Sequence, residues 1–281
     1  LGDVYKRQTF NGFFNNYDGL ASGLQPIGVK YDDASRKVVC TLEQDDIMDG
    51  LNWLHKWYQD GIINPDANVV TDGGKGSIFG SAQGWPAAAT TWAFNAGIEK
   101  YDLTQVFGPL YTTETIQGSM NAISANSKYK TEALKVLQLM NTDSKFRDMC
   151  AYGTEGNYME YAEDGTVQKL RDDWNWPSYT QGTFFILSTQ ADGDPDAWNQ
   201  VKEQNESAVS STCLGFALDV TNIQNEIANC NTVWDKYKND LLTGASDPAT
   251  AVPACIEELK AAGLDTVIEE AQKQVDEFFA N

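Results

Sequence analysis

The last sixty residues put the first constraint on the fold. In "LDTVIEEAQKQVDEFF" Val267, Ala271, Val275 and Phe278 recur three or four apart, which sets them on one face of a helix near 265–279. An apolar stripe of that kind is stable only against another layer, so the helix must pack on something. Two more helical stretches come before it, about 220–242 and about 250–262, with Gly263 as the break between the last two. Far upstream, "DDIMDGLNWLHKWYQDGIINPDA" repeats the pattern. Ile47, Leu51, Leu54 and Tyr58 share a face, acidic residues fill the first turn and Gly61 closes it, giving a helix over 44–61. Trp53, Trp57 and Trp234, all on helical stretches, are read as core.

Strand signals fall between the helices. "GSIFGSAQGW" reads as a short strand running into a Gly-rich turn. "QGSMNAISANSKYKTEALKVLQLM" reads as a strand, a polar turn and a helix with Ala133, Val136, Leu137 and Met140 inward. Asp164-Gly165 between two extended runs signals a hairpin. Strands alternating with helices imply an α/β chain. Internal repeats, coiled coil and low-complexity tracts are absent.

Charge narrows the partners. Forty acidic against twenty basic residues give −20, a field that repels nucleic acid and anionic membrane surfaces and suits a neutral or cationic small partner. No run of about 18 apolar residues is present, so no segment reads as a membrane span. The opening "LGDVYKRQTF" lacks the apolar stretch of a signal peptide. Residues 1–8 resemble the translation of a sequencing-library adaptor; the other reading is an ordinary basic N-terminal strand. They are set aside from fold reasoning. Cys40, Cys150, Cys213, Cys230 and Cys255 show no metal-finger spacing, and an odd number leaves at least one thiol free in a monomer. One disulfide among the last three is open; buried free thiols are the plainer reading.

Catalytic motifs are missing. The single histidine, His55, lies mid-helix beside a lysine, with no nucleophile motif anywhere, and reads as a helix-surface residue. No P-loop and no dinucleotide fingerprint occurs, and no cofactor is implied. With forty acids a chance carboxylate pair is nearly certain, so a glycosidase cannot be read from residue type. "DGDPDAWNQVKE" offers Asp192, Asp194, Asp196 and Glu203 at calcium-loop spacing, but Ala197 stands where the loop needs glycine, and a solvated acidic turn is the default.

The aromatic residues carry the remaining signal. "AQGWPAAATTW" sets Trp85 and Trp92 beside a Gly-Pro turn. "RDDWNWPSYTQG" interleaves Trp174, Trp176 and Tyr179 with Asp172, Asp173, Asn175 and Gln181. An indole stacked on a sugar ring buries apolar C–H surface while neighbouring carboxylates and amides bond the hydroxyls. For each ring, partial burial in the core stays open beside ligand contact. Glu155, in "YGTEGNY", is a further candidate acceptor.

"KGSIFGSAQGW" resembles the strand and turn of family 1 extracellular solute-binding proteins, usually Gly-Lys-x-Ala-Met followed by a Gly-x-Trp-like turn; here Ile78 replaces the methionine and Pro86 follows the tryptophan. "GSMNAISANSKYKTEALKVLQLMNTDSKFRDMCAYGTEGNYMEY" is similar to the family's segment after its inter-lobe crossover. The ending from "GFALDVTNIQ" to "QKQVDEFF" resembles the lipoprotein subgroup with a C-terminal region of unassigned function. Together these cover about residues 45–280. The resemblance implies a two-lobed α/β fold of the type II periplasmic-binding-protein kind with one lobe incomplete, serving an ABC importer by passing a solute, with an oligosaccharide favoured, to its permease. It also implies a lipid anchor on a preceding segment, on the outer face of a Gram-positive-type membrane. On this reading 9–110 is a lobe segment carrying the helix and the Trp85 turn, 111–165 is the crossover and helix–hairpin segment of the other lobe, and 166–281 holds a late cleft segment and the C-terminal helices. Trp85 corresponds to the turn tryptophan that stacks on sugar, and "DDWNWPSY" faces it across the cleft. A peptide or other polar solute is the alternative ligand, and a secreted glycoside hydrolase the enzyme alternative.

Overall fold

The computed structural model describes residues 10–69, 84–86, 88, 102–171, 173–174, 176, 180–191 and 193–280. Seven short strands are described: β1 (Tyr17–Asp18), β2 (Ile27–Lys30), β3 (Val39–Cys40), β4 (Leu110–Tyr111), β5 (Met159–Tyr161), β6 (Val167–Lys169) and β7 (Val209–Ser210). The helices are α1 (Asp45–Gln59), the one-turn α2 (Thr113–Ile116), α3 (Lys130–Thr142), α4 (Ser144–Tyr152), α5 (Ala197–Glu206), α6 (Gln224–Leu242), α7 (Pro248–Ala261) and α8 (Leu264–Phe279). By its contacts the chain divides into two units, one of Leu1–Ala82, Tyr111–Thr115 and Ser210–Asn281, the other of Gln83–Leu110 and Ile116–Val209. The chain therefore passes from the second unit to the first within β4 and again within β7, and these two strands pair.

The first unit is a three-stranded antiparallel sheet in the order β1-β2-β3 with four long helices. The register sets Asp18 opposite Val29 and Ile27 opposite Cys40. Ile27, Val29, Leu42, Ile47 and Leu51 meet Leu241, Leu259, Leu264, Val267, Ala271 and Val275 in one core. The stripe on the last helix is thus buried as its spacing requires, except at Phe278, which is half exposed and rests its ring edge-on against Phe216 and Phe279. Asp247 caps α7 by accepting from the Ala249 N–H at 3.0 Å, with Pro248 in the first turn, where its missing N–H costs nothing.

Two expectations fail on α1. Trp234 is core at 3% exposure, but Trp53 and Trp57 are 57% and 41% exposed. At about 100° per residue, both lie roughly a quarter-turn or more from the Ile47–Leu51–Leu54 stripe. Their spacing matches each other, 6.4 Å between ring centroids, and not the buried face. His55 is half-buried, its Nδ1 2.8 Å from the Gly244 carbonyl oxygen.

Among its described residues the second unit has helices but little sheet. α4 is capped by Asp143, which accepts from the Phe146 N–H at 2.9 Å. The Asp164-Gly165 hairpin forms as expected, pairing β5 and β6 antiparallel, with Asp164 Oδ1 accepting from the Thr166 N–H. Its core cluster is Tyr152, Met159, Val167 and Leu187. The strand expected before the helix at 130 is absent: 117–124 is irregular, and Met120 is exposed with no pairing partner among the described residues. On α3 only Met140 is buried; Ala133 and Leu137 are half-buried, and Val136, expected inward, is exposed. The "GSIFGSAQGW" strand lies almost wholly outside the described residues. No described helix is long and apolar enough to cross a membrane.

Candidate functional site

The hairpin explains why a ring group assembles in the second unit. Tyr158 stands just before β5 and its carbonyl accepts from the Leu170 N–H at 2.8 Å, just beyond β6. Residue 171 therefore emerges beside residue 158, and the Arg171 guanidinium lies over the Tyr158 ring, 4.8 Å from its centroid. Trp174 packs on the same tyrosine, with 5.2 Å between centroids and planes tilted by 57°. Its indole N–H donates to the Cys150 carbonyl at 3.0 Å, which ties the ring to the last turn of α4. Trp174 is half-buried and its polar edge is satisfied.

Two charges border the rings. Arg171 Nε donates to Asp173 Oδ1 at 2.9 Å, and its Nη2 pairs with the second oxygen. Hydrogen bonding from Arg171 holds the Asp173 carboxyl below the usual carboxylate range and raises the guanidinium in turn. Both side chains are solvent-exposed, so the pair serves as fixed acceptors and donors more than as a source of stability. Glu155, also exposed, lies on the tight turn that carries Tyr158, whose N–H donates to the Thr154 carbonyl at 2.9 Å.

A buried polar strap holds the segment behind these rings. Arg147 and Asp148 on α4 are 0% and 1% exposed. Arg147 Nε donates to the Thr183 carbonyl at 3.0 Å, and Asp148 accepts from Tyr161 OH, the Ser188 N–H and Ser188 Oγ at 2.8–2.9 Å. Tyr152 OH donates to the Ser188 carbonyl. Phe184 stacks on Trp198 at 4.8 Å. Of the described rings in "RDDWNWPSYTQGTFF", Phe184 packs on Trp198 beside Arg147, Phe185 is exposed, and Trp174 joins Tyr158 next to the exposed Arg171 and Asp173.

The other sequence candidates are placed as follows. Trp85 and Trp176 are half-buried in the second unit, and the Trp85 carbonyl accepts from the Ala88 N–H at 2.9 Å. Trp85 is grouped in the same unit as Trp174. Trp92 and Tyr179 lie outside the described residues. Tyr158 and Arg171 were not singled out from sequence; the two glycines of "YGTEGNY", marking a tight turn that ends in an aromatic, were the available signal.

The acidic run near 194 forms a hydrogen-bonded turn leading into α5. Asp194 accepts from the Asp196 N–H and from Gln200, and Asp196 from Asn199. Asp192 lies outside the described residues, and no group of three potential metal ligands occurs among those described. All five cysteines are free thiols, four buried and Cys150 half-buried.

Residues 212–280 match a family described as a domain of unknown function, DUF3502. The chain is 27% identical over 283 aligned positions to a carbohydrate ABC transporter substrate-binding protein of Streptococcus pneumoniae, covering 95% of this chain and 57% of that protein. Among solved structures it matches the N-glycan transport solute binding protein NgtS of Streptococcus pneumoniae with a TM-score of 0.82 at 26% identity, covering 95% of this chain and 61% of that one. Structures of NgtS in complex with Man1GlcNAc and Man5GlcNAc match with TM-scores of 0.78 and 0.72. An HMO-binding, ABC-transporter-associated solute binding protein of Bifidobacterium longum infantis, 15% identical, matches with a TM-score of 0.54 and shares the fold. The chain spans about three-fifths of the length of these relatives. Its fold is that of two-lobed α/β solute-binding proteins, represented in part.

Proposed function

We propose that this chain is the greater part of the substrate-binding component of an ABC importer that takes up an oligosaccharide. The observation that carries the reading is the similarity, along 95% of the chain, to a solute binding protein whose structures hold mannose–N-acetylglucosamine glycans. The second unit supports it with a half-buried indole braced by a tyrosine and bordered by an exposed carboxylate and guanidinium, the residue types that stack on a sugar face and bond its hydroxyls. Trp174, Trp85, Trp176 and Glu155 are the proposed ligand contacts, joined by Tyr158, Arg171 and Asp173; Trp92 and Tyr179 remain candidates from the sequence. The protein changes no bond in its ligand. It hands the glycan to a membrane permease, on the outer face of the cell, held there by a lipid anchor.

A thermal-shift screen of oligomannose, other glycans and short lysine-rich peptides tests this directly. A glycan at 100 times its Kd stabilises by about 2.7 kcal/mol, a shift of about 5 °C for a chain of this size. A shift with oligomannose-type glycans and none with peptides is the expected result. Peptides alone shifting the melt would leave the fold intact and overturn the sugar.

A further inference from the structure

Asp18 is a buried carboxylate with half of its hydrogen bonding left open. It stands on β1 at 1% exposure. Oδ1 accepts from the Leu20 N–H at 2.9 Å, which folds the carboxylate over the turn 18–21, while Oδ2 has no partner among the described residues. A charge held out of water is costly unless it is paired or coordinates a metal. Glu114 reaches the same turn: a Cβ placed on Gly19 would lie 4.0 Å from its Oε2. Among the described residues neither carboxylate pairs with a lysine or arginine. Glu114 is exposed, which gives the turn a solvent-facing side. Leu20 and Ala21 hold φ of +58° and +53°, a conformation that side chains rarely adopt. The Leu218 N–H fastens the turn by donating to the Leu20 carbonyl at 2.9 Å. Every donor here is oxygen. Besides the two carboxylates, the carbonyls of Gly19 and Leu20 each keep a second lone pair beyond the one given to Ser22 or Leu218.

We propose that the turn 18–21 and Glu114 form a binding site for calcium. Oxygen donors alone suit a hard cation and not a transition metal. Two carboxylates balance a divalent charge. A shell completed by carbonyls and water fits the flexible coordination of calcium better than the strict octahedron of magnesium. Glu114 lies on α2 within Tyr111–Thr115, a stretch of the first unit whose two flanks both belong to the second. Calcium held between Asp18 and Glu114 thus ties this crossing stretch to the turn after β1, inside the first unit. The assignment does not depend on the glycan.

The test is calorimetric titration of the EDTA-stripped chain with calcium chloride at constant ionic strength, its melting followed alongside. The expected Kd is about 10⁻⁴–10⁻³ M, the range of extracellular calcium modules. At ten times the Kd the melt should rise by about 2 °C. Glu114→Gln, on an exposed side chain, weakens binding by about tenfold or more and leaves the melt in EDTA unchanged. Asp18→Asn abolishes the calcium shift yet melts no lower in EDTA, because it removes the uncompensated charge and keeps an acceptor for the Leu20 N–H. Should Asp18→Asn fail to fold, Glu114→Gln decides alone. Glu269→Gln, an exposed acid of α8, alters neither binding nor melt. Calcium that gives no heat and no shift overturns the site and leaves Oδ2 to a buried water. So does a shift that survives Glu114→Gln undiminished or is matched by magnesium. Either would make it general screening of a chain of net charge −20.

Discussion

Trp174 owes its position to two contacts at opposite ends of the ring, the Cys150 carbonyl on its N–H and Tyr158 on its face. The tyrosine in turn depends on Gly153, which adopts φ +90° and whose Cβ, if present, would sit 2.5 Å from Cβ of Tyr158. Gly153→Ala is therefore expected to destabilise the protein by about 2 kcal/mol and to displace the tyrosine; chemical denaturation read by tryptophan fluorescence measures both. Asp148 is a harder position. Replacing it by alanine strips three donors of their acceptor and leaves the neighbouring Arg147 buried, at a cost of about 3 kcal/mol or more. An Asp148→Ala protein as stable as the original would refute the strap. The sequence made Trp174 legible because tryptophan among acids and amides is chemically conspicuous. It hid Tyr158 and Arg171, since their juxtaposition is made by hairpin register, which no local pattern reports.

Among elements, periodicity was a reliable guide where a stripe ran long. α1, α6, α7 and α8 form within a few residues of their expected bounds because each buries three or more side chains on one face. The tryptophans of α1 were misread for a physical reason: a residue on a helix is core only if it shares the angle of the buried stripe, and Trp53 and Trp57 do not. Strands of two to four residues carry too few positions for alternation to register, so the sheet of the first unit was not legible. Close packing of α1 on the end of α6 gives a sharp prediction. Gly244 has φ +76°, and a Cβ there would lie 2.2 Å from the Leu54 carbonyl oxygen. Gly244→Ala must push backbone against backbone, so a loss of about 3 kcal/mol or more is expected in denaturant titrations. The buried thiols of the first unit give another. Burial pushes Cys40, Cys213 and Cys230 up to about 11 and Cys255 to about 12, from an ordinary 9.0. A raised folded value means the protonated thiol is the form the fold favours. The stability is fully present below pH 9, falls as the unfolded thiols ionise, and is lost as pH rises through 11–12. Urea midpoints at pH 8 and pH 10.5 should differ in that direction, and a midpoint independent of pH would contradict the burial of these groups.

For the whole molecule, the two units differ in completeness. The first has a sheet, four long helices and a large core with a smaller cluster at Leu54, Ile63 and Ala67 beside it, and its C-terminal part is the region that matches a described domain. The second holds every described ligand-contact candidate and most of the exposed apolar residues. Long resemblance made the two-lobed fold legible from the sequence, because it rests on many positions at once. The account stands most directly on one titration: Man5GlcNAc against the chain and against Trp174→Ala, Trp174→Phe and Trp53→Ala, followed by calorimetry. Stacking on the indole predicts at least a tenfold loss of affinity for Trp174→Ala, about 1.4 kcal/mol, partial retention by phenylalanine, and no change for the exposed tryptophan of α1. Binding that survives Trp174→Ala undiminished would contradict the site, and glycan affinity lost equally in Trp53→Ala would move it to the other unit.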